Sequence, residues 1–369
     1  MKEARLFAVL LAAAPYAAAQ EPIVIGQTIA LSGGLAEHGK AVHQGALAYL
    51  KRVNAAGGIG GREIVLKTLD DGGDAQRAAE NTRKLIDEER VLAVFGGIEG
   101  GPCVASMKVA AEKRVPLIAC MAGSPELREP FQRYAFPVRA PHFDEFAKLI
   151  DTAVQYGHRR IGFLHSDSDT GRKHLANVQR LLRARGLELA MAIPLPGKPD
   201  PAKIAQQLKE GGIQAMFNHG AYAVYAEIIR EARKLGLQTQ FLAINSGAQQ
   251  MVRSLGEHAS GLIFTQVVPY PWGTVTPVVK EFRDSAKSIE GGISFSAMEG
   301  FMSAKVLAEA LNRAGRSRKA LSAESLIAAL EGMKSYDLGG LEVRFTPTGH
   351  KGSDFVDTVV VASDGRFVR

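Results

Sequence analysis

Few stretches of this chain combine residue types able to do chemistry, and each has a simpler use. Gly34-Leu35-Ala36-Glu37-His38-Gly39-Lys40 matches G-x-x-x-x-G-K between a strand pattern and a helix pattern, the setting of a phosphate-cradling loop. The next residue is Ala41, which has no hydroxyl for Mg²⁺, so the segment reads instead as a glycine-rich cleft loop whose helix-opening N–H groups favour an anion. His165-Ser166-Asp167-Ser168-Asp169-Thr170-Gly171 holds the residue types of a hydrolytic triad, but consecutively, and no G-x-S-x-G elbow occurs. A polar loop facing a cleft accounts for it better. Neither C-x-x-C nor H-E-x-x-H is present, so the linear motifs offer no metal site, and no cofactor is expected. Tyr270 and Trp272, in Pro269-Tyr270-Pro271-Trp272, either stack on a ligand or pack a Pro-rich crossover.

The elements that must position these residues alternate along the whole chain. Ile23 to Ala30 reads as a strand and Ala36 to Ala55 as a helix, ended by Gly57-Gly58-Ile59-Gly60-Gly61. The same grammar gives strands at Glu63 to Leu69, Val91 to Phe95 and Pro116 to Cys120, with helices between them. After Arg139 it restarts, with strands at Arg160 to Leu164, Leu187 to Ile193, Ala215 to Asn218, Gln240 to Ile244 and Leu262 to Gln266. Near-continuous apolar strands joined by short turns indicate parallel sheets covered on both faces, hence an α/β fold of two Rossmann-like lobes. Thr276 to Met333 is mainly helical and is followed by strands at Leu341 to Phe345 and Phe355 to Ala362. These late elements have no sheet of their own. They return to the earlier lobes, and the repeated crossings form a hinge. The lobes are expected at 20–139 plus 268–345 and at 140–267 plus 346–369.

The chain's 369 residues exceed the usual span of one domain, in line with two lobes. Hydrophobic residues at 46% and charged residues at 22% exclude disorder and a disulfide-dense scaffold. The net charge of +7 is thin over this length, and nowhere do Lys and Arg gather among aromatics, so no nucleic-acid partner is expected. Lys2 and Arg5, the apolar run Leu6 to Ala14 and Ala17-Ala18-Ala19 read as a secretory signal peptide over residues 1–19. The run falls short of the ~20 apolar residues that span a bilayer. The mature chain is therefore expected in the periplasm. Export leaves two readings for Cys103 and Cys120, a disulfide or two buried thiols, and their spacing does not choose between them.

Open parallel sheets bind ligands outside the carboxyl ends of their strands. Those ends carry Ser32 to His38, Gly97 to Gly101, Met121 to Ser124, Asp167 to Thr170, Gly220 to Tyr222 and Asn245 to Gly247, all rich in Gly and small polar residues. Two such lobes would close over a small solute.

Ile23-Val24-Ile25-Gly26, Leu31-Ser32-Gly33, Val53 to Gly61, Asp70-Asp71, Ser124-Pro125-Glu126-Leu127 and Gly236 to Phe241 together resemble the branched-chain amino-acid-binding proteins of ABC importers. The resemblance implies a type I periplasmic binding protein, monomeric and without catalysis, that delivers a small solute to a membrane permease. A sensor serving a membrane receptor and an exported hydrolase built on the His165 to Asp169 loop are the alternatives. The family's backbone clamp maps to Met121, Ala122 and Gly123. Its first aromatic contact falls at His38, its hydroxyl-bearing loop at Gly100 and Gly101, and its second-lobe contacts at Thr170, Ala221 or Tyr222, and Asn245 or Ser246, with Trp272 added as a stacking surface. Where amino-acid binders place an acid for the ammonium, this chain has Asn245, so Glu99 or Asp169 would have to substitute. The expected solute is an amino acid or a related polar carboxylate.

Overall fold

The computed structural model describes residues 21–195, 197–220, 222–316 and 320–369; the expected signal peptide and Ala221 lie outside the described residues. The first half contributes β1 (Ile23–Ile29), α1 (Ala36–Ala55), β2 (Ile64–Asp70), α2 (Ala75–Asp87), β3 (Val94–Phe95), α3 (Gly100–Glu112), β4 (Leu117–Ile118) and β5 (Ala135–Phe136). A second series follows: α4 (His142–Gln155), β6 (Ile161–Ser166), α5 (Asp169–Arg183), β7 (Met191–Leu195), α6 (Pro201–Glu210), β8 (Ala215–His219), α7 (Tyr222–Lys234), β9 (Gln240–Ala243), α8 (Ala248–Leu255) and β10 (Ile263–Gln266). The remainder is α9 (Pro277–Asp284), α10 (Phe295–Gly315), α11 (Ala323–Glu331), β11 (Tyr336–Asp337), β12 (Glu342–Thr346), β13 (Gly349–Gly352), β14 (Asp357–Val361) and β15 (Phe367–Val368).

The α/β expectation is met twice by one topology. The first sheet runs β2-β1-β3-β4-β5, all parallel, and the second runs β7-β6-β8-β9-β10 in parallel before β14 and β15 add antiparallel at its edge. In each sheet the chain reverses its winding after the first strand, so a crevice opens between β1 and β3 and another between β6 and β8. The loops at those two points are the ones that can hold a solute.

Helix α10 belongs to neither sheet yet is buried nearly throughout, because its apolar residues cover most of its circumference. It lies against α1 at two glycines. A Cβ on Gly45 would stand 1.9 Å from the Ala297 carbonyl oxygen, and one on Gly300 would stand 2.0 Å from that of Val42. The last crossing also differs from the sequence expectation. A tight turn after Thr346 returns β13 alongside β12, and the His350 ring bonds the Ala135 carbonyl at 2.8 Å while stacking on Phe136. Residues through Gly352 therefore pack with the first sheet, and the chain crosses at 353–356 instead of at 346.

Cys103, on α3, and Cys120, just past β4, are joined by a disulfide with a Cα separation of 5.8 Å. It closes a loop spanning 17 residues of sequence separation, for which chain entropy predicts a contribution of about 3 kcal/mol. The Cys103→Ala/Cys120→Ala double variant is expected to lose about 2–4 kcal/mol in urea unfolding with little change in slope.

Candidate functional site

The β1–α1 loop is held by one carboxylate. Asp70, the last residue of β2, accepts N–H bonds at Oδ1 from Leu31 at 2.8 Å, Ser32 at 3.2 Å and Gly72 at 2.9 Å. Desolvation alone would raise its pKa, but the bonds from Ser32, Leu31 and Gly72 outweigh it and bring the value down to about 2. The loop so fixed starts α1, and α1 carries His38 to within 2.9 Å (Nδ1 to Oγ) of Ser296 on α10. Burial lowers the His38 pKa, and the opposing pull of Glu99 does not reverse it.

Across the crevice, Glu99 stands just before α3 with φ 67° and ψ 150°, a region that costs a non-glycine residue about 1–3 kcal/mol. This backbone turns the Glu99 carboxylate toward the second lobe, where it accepts a 2.9 Å bond from Ser246 Oγ. Gly100 and Gly101 open α3 without hydroxyls of their own. Ser124 Oγ lies 2.3 Å from where a Cβ on Gly100 would be, so a hydroxyl stands beside that glycine from the next loop.

Part of the expected backbone clamp is bonded within the first lobe. Met121 N–H bonds the Gly97 carbonyl at 2.9 Å and Ala122 N–H bonds that of Cys120 at 2.9 Å, so both donors are engaged inside the lobe. The Gly123 carbonyl accepts from His142 N–H at 3.0 Å, and a Cβ on Gly123 would stand 2.2 Å from the His142 ring. All three residues are buried.

In the second lobe, Thr170 Oγ1 donates to Glu126 of the first lobe at 3.0 Å, and Lys173 joins the same oxygen at 3.1 Å. Asp169 is 89% exposed and pairs with Arg172. Tyr222 underlies Gly247, where a Cβ would meet its ring at 2.7 Å. Trp272 stands apart. It packs edge-on against Phe295 and beside Tyr270, over a pocket of about 430 Å³ on the hinge flank that also includes Val252, Arg253 and Phe367.

Three groups that linear motifs do not mark complete the crevice. Its cavity, about 10 Å³ and thus room for roughly one water, is bordered by His38, Asn245, Gly247, Gln266, Ser296 and Glu299. Both polar atoms of the buried Gln266 amide and Oε1 of Glu299 have no hydrogen-bond partner among the described residues. Burial raises the Glu299 pKa even though Arg139 opposes it. Gln266 ends the last parallel strand and Ser296 and Glu299 lie on α10, so none is in a loop that a strand-end argument inspects.

Arg139 ties these parts together at the first crossing. Its guanidinium pairs with the fully buried Glu145, donates to Asn245 Oδ1 at 3.0 Å and approaches Glu299 to 3.9 Å. Glu145 in turn accepts from Thr265 Oγ1 at 2.6 Å and from Asn245 N–H at 3.2 Å. Asn245 is thus a positioning residue of the hinge. The hydrolytic alternative finds no assembled triad: His165 bonds the Ser166 carbonyl at 3.1 Å, while Ser168 Oγ caps α5 through Gly171 N–H.

Two outcomes follow from this geometry. Arg139→Met leaves Glu145 buried and unpaired and is expected to cost about 3–5 kcal/mol in denaturant unfolding. Adding Glu145→Gln, which keeps an acceptor for Thr265, should restore part of that loss. For Asp70, the folded pKa of about 2 lies below the ordinary 3.8, so its stabilisation is complete above the ordinary value and disappears as pH falls from there through the folded value. Acid unfolding followed by circular dichroism should be less steep in that window for Asp70→Asn.

Comparison with known proteins agrees with this architecture. The family model described as "Periplasmic binding protein" matches residues 22–366. A leucine-, isoleucine-, valine-, threonine- and alanine-binding protein of Pseudomonas aeruginosa is 23% identical over 359 residues, covering 95% of this chain and 91% of that protein. The crystal structure of a possible leucine/isoleucine/valine-binding protein from Rhodopirellula baltica superposes with a TM-score of 0.84 at 27% identity, covering 95% of this chain and 97% of the other. A fatty acid ABC transporter substrate-binding protein from Thermomonospora curvata shares the fold with a TM-score of 0.83 at 20% identity, covering 95% and 92%. With a family match that runs across both lobes, the chain belongs to the periplasmic binding protein family, whose members are solute-binding proteins and not enzymes.

Proposed function

We propose that this protein captures a small amino-acid-like solute between its lobes in the periplasm and hands it, as a monomer, to the permease of an ABC importer. The observation that carries the reading is the Ser246–Glu99 bond, which joins the crevice of one sheet to the crevice of the other. A solute entering there would exchange this contact for its own. Glu99 is the acid that receives the solute's ammonium, taking the role that Asn245 cannot fill while its oxygen serves Arg139. The unpartnered Gln266 amide and the Ser296 and Ser124 hydroxyls supply the remaining polar contacts, and His38 and Tyr222 border the solute's apolar part. Gly100 and Gly101 let the backbone approach it closely. The basic start at Lys2 and Arg5 and the apolar run that follows within residues 1–19 support export. Among the described residues no helix is long and apolar enough to cross a membrane.

Calorimetric titration against aliphatic amino acids, the matching carboxylic acids lacking nitrogen, and the matching amides tests the reading. The expected result is micromolar binding, about −8 kcal/mol, of an amino acid, weakened about 10- to 150-fold by Glu99→Gln through loss of a charged hydrogen bond. Solution scattering should show the lobes closing with the same compound. Equal affinity for the nitrogen-free acids, together with an unaffected Glu99→Gln variant, would overturn the assignment.

A further inference from the structure

A cluster of three histidines lies beside the crevice, and its ring nitrogens take no part in the contacts described above. His142 is the first residue of α4, His174 lies on α5 and His219 is the last residue of β8, so three separate elements converge at the carboxyl end of the second sheet. One ring nitrogen from each falls within 4.8 Å of the other two, and His142 Nδ1 is 3.4 Å from His174 Nε2. Two nitrogens bound to one tetrahedral ion at 2.0–2.1 Å stand roughly 3.3–3.4 Å apart, so this pair already has the spacing of neighbouring ligands.

The surroundings favour an ion over a packed aromatic cluster. Phe146 lies beneath all three rings, with centroid distances of 6.2, 5.1 and 6.3 Å to His142, His174 and His219, and closes the cluster from the interior. Nδ1 of His219 is buried without a hydrogen-bond partner among the described residues. Buried polar atoms in native structures are rarely left so, and each calls for an explanation such as an ion.

We infer that His142, His174 and His219 bind one divalent first-row transition ion. Three imidazoles suit Zn²⁺, Ni²⁺ or Cu²⁺, and do not match the oxygen-only preference of Ca²⁺ and Mg²⁺. The sequence separations hid the cluster, since residues 142, 174 and 219 fit no short ligand motif.

The test uses the mature chain, stripped with EDTA and titrated with ZnCl₂ alone by calorimetry, with bound zinc counted after gel filtration. The inference expects one Zn²⁺ per chain at micromolar affinity or tighter, a thermal midpoint that rises with free Zn²⁺, and the visible bands of a tetrahedral site when Co²⁺ replaces it. His219→Gln, made at the least buried of the three, should lower affinity at least about 10- to 100-fold. Absence of stoichiometric zinc on the wild-type chain would overturn the inference. So would unchanged affinity in a folded His219→Gln variant, which would assign the metal to other histidines such as His158 or His258. Zinc stoichiometry is read without any solute, so either result leaves the amino-acid assignment standing or falling on its own experiment.

Discussion

The architecture turns on a single buried ion pair. Arg139 sits where the chain first leaves one lobe for the other, and Glu145 lies one turn into the helix that begins the second. Two charges in such a place are costly to desolvate, and the cost is offset only because Thr265, Asn245 and the Arg139 contact with Glu299 complete the network. Those partners come from the loop after β9, the last parallel strand and the central helix α10. Any rotation of the lobes must preserve this network or pass through a state in which a charge is left unpaired. The hinge is thereby restricted to motions about the pair.

Around that pivot, repetition of one topology does most of the remaining arrangement. Both sheets reverse their winding after one strand, so both present their crevice loops at the same end, and the crossings turn those ends toward each other. The polar residues then meet in matched pairs across the gap, Glu99 with Ser246 and Glu126 with Thr170. Backbone strain at Glu99 belongs to this arrangement, because a relaxed conformation would direct the carboxylate elsewhere. Strained residues persist where the surroundings over-determine them, and here α3, the disulfide and the β3 end do so.

Legibility in the sequence follows the range of the interactions. Strands and helices were readable because their periodicity is local, and the crevice loops because strand ends carry Gly and small polar residues. Short strands such as β5 and β13 escaped, since two to four residues give no period. Asp169 and Glu99 looked equivalent as substitutes for a missing acid; one is solvated beside Arg172 and the other turns inward only through its positive φ. The clamp assigned by resemblance to Met121 and Ala122 could not reveal that Gly97 and Cys120 already accept those N–H groups. Arg139 and Glu145 are only six positions apart, but the bonds from Asn245 and Thr265 that complete the pair span 100 to 120 positions, which spacing along the chain does not encode.

The bond between Cys103 and Cys120 has a mechanical consequence. It stitches the helix behind Glu99 to the strand end that leads into Ser124, so two of the loops that border the crevice are covalently one piece. The second lobe, whose cysteine-free loops hang on hydrogen bonds and packing alone, has no comparable fastening. Capture of a guest therefore resembles a jaw closing on an anvil: the stitched wall keeps its shape, and compliance is confined to the opposing loops and to the three strands of chain that connect them.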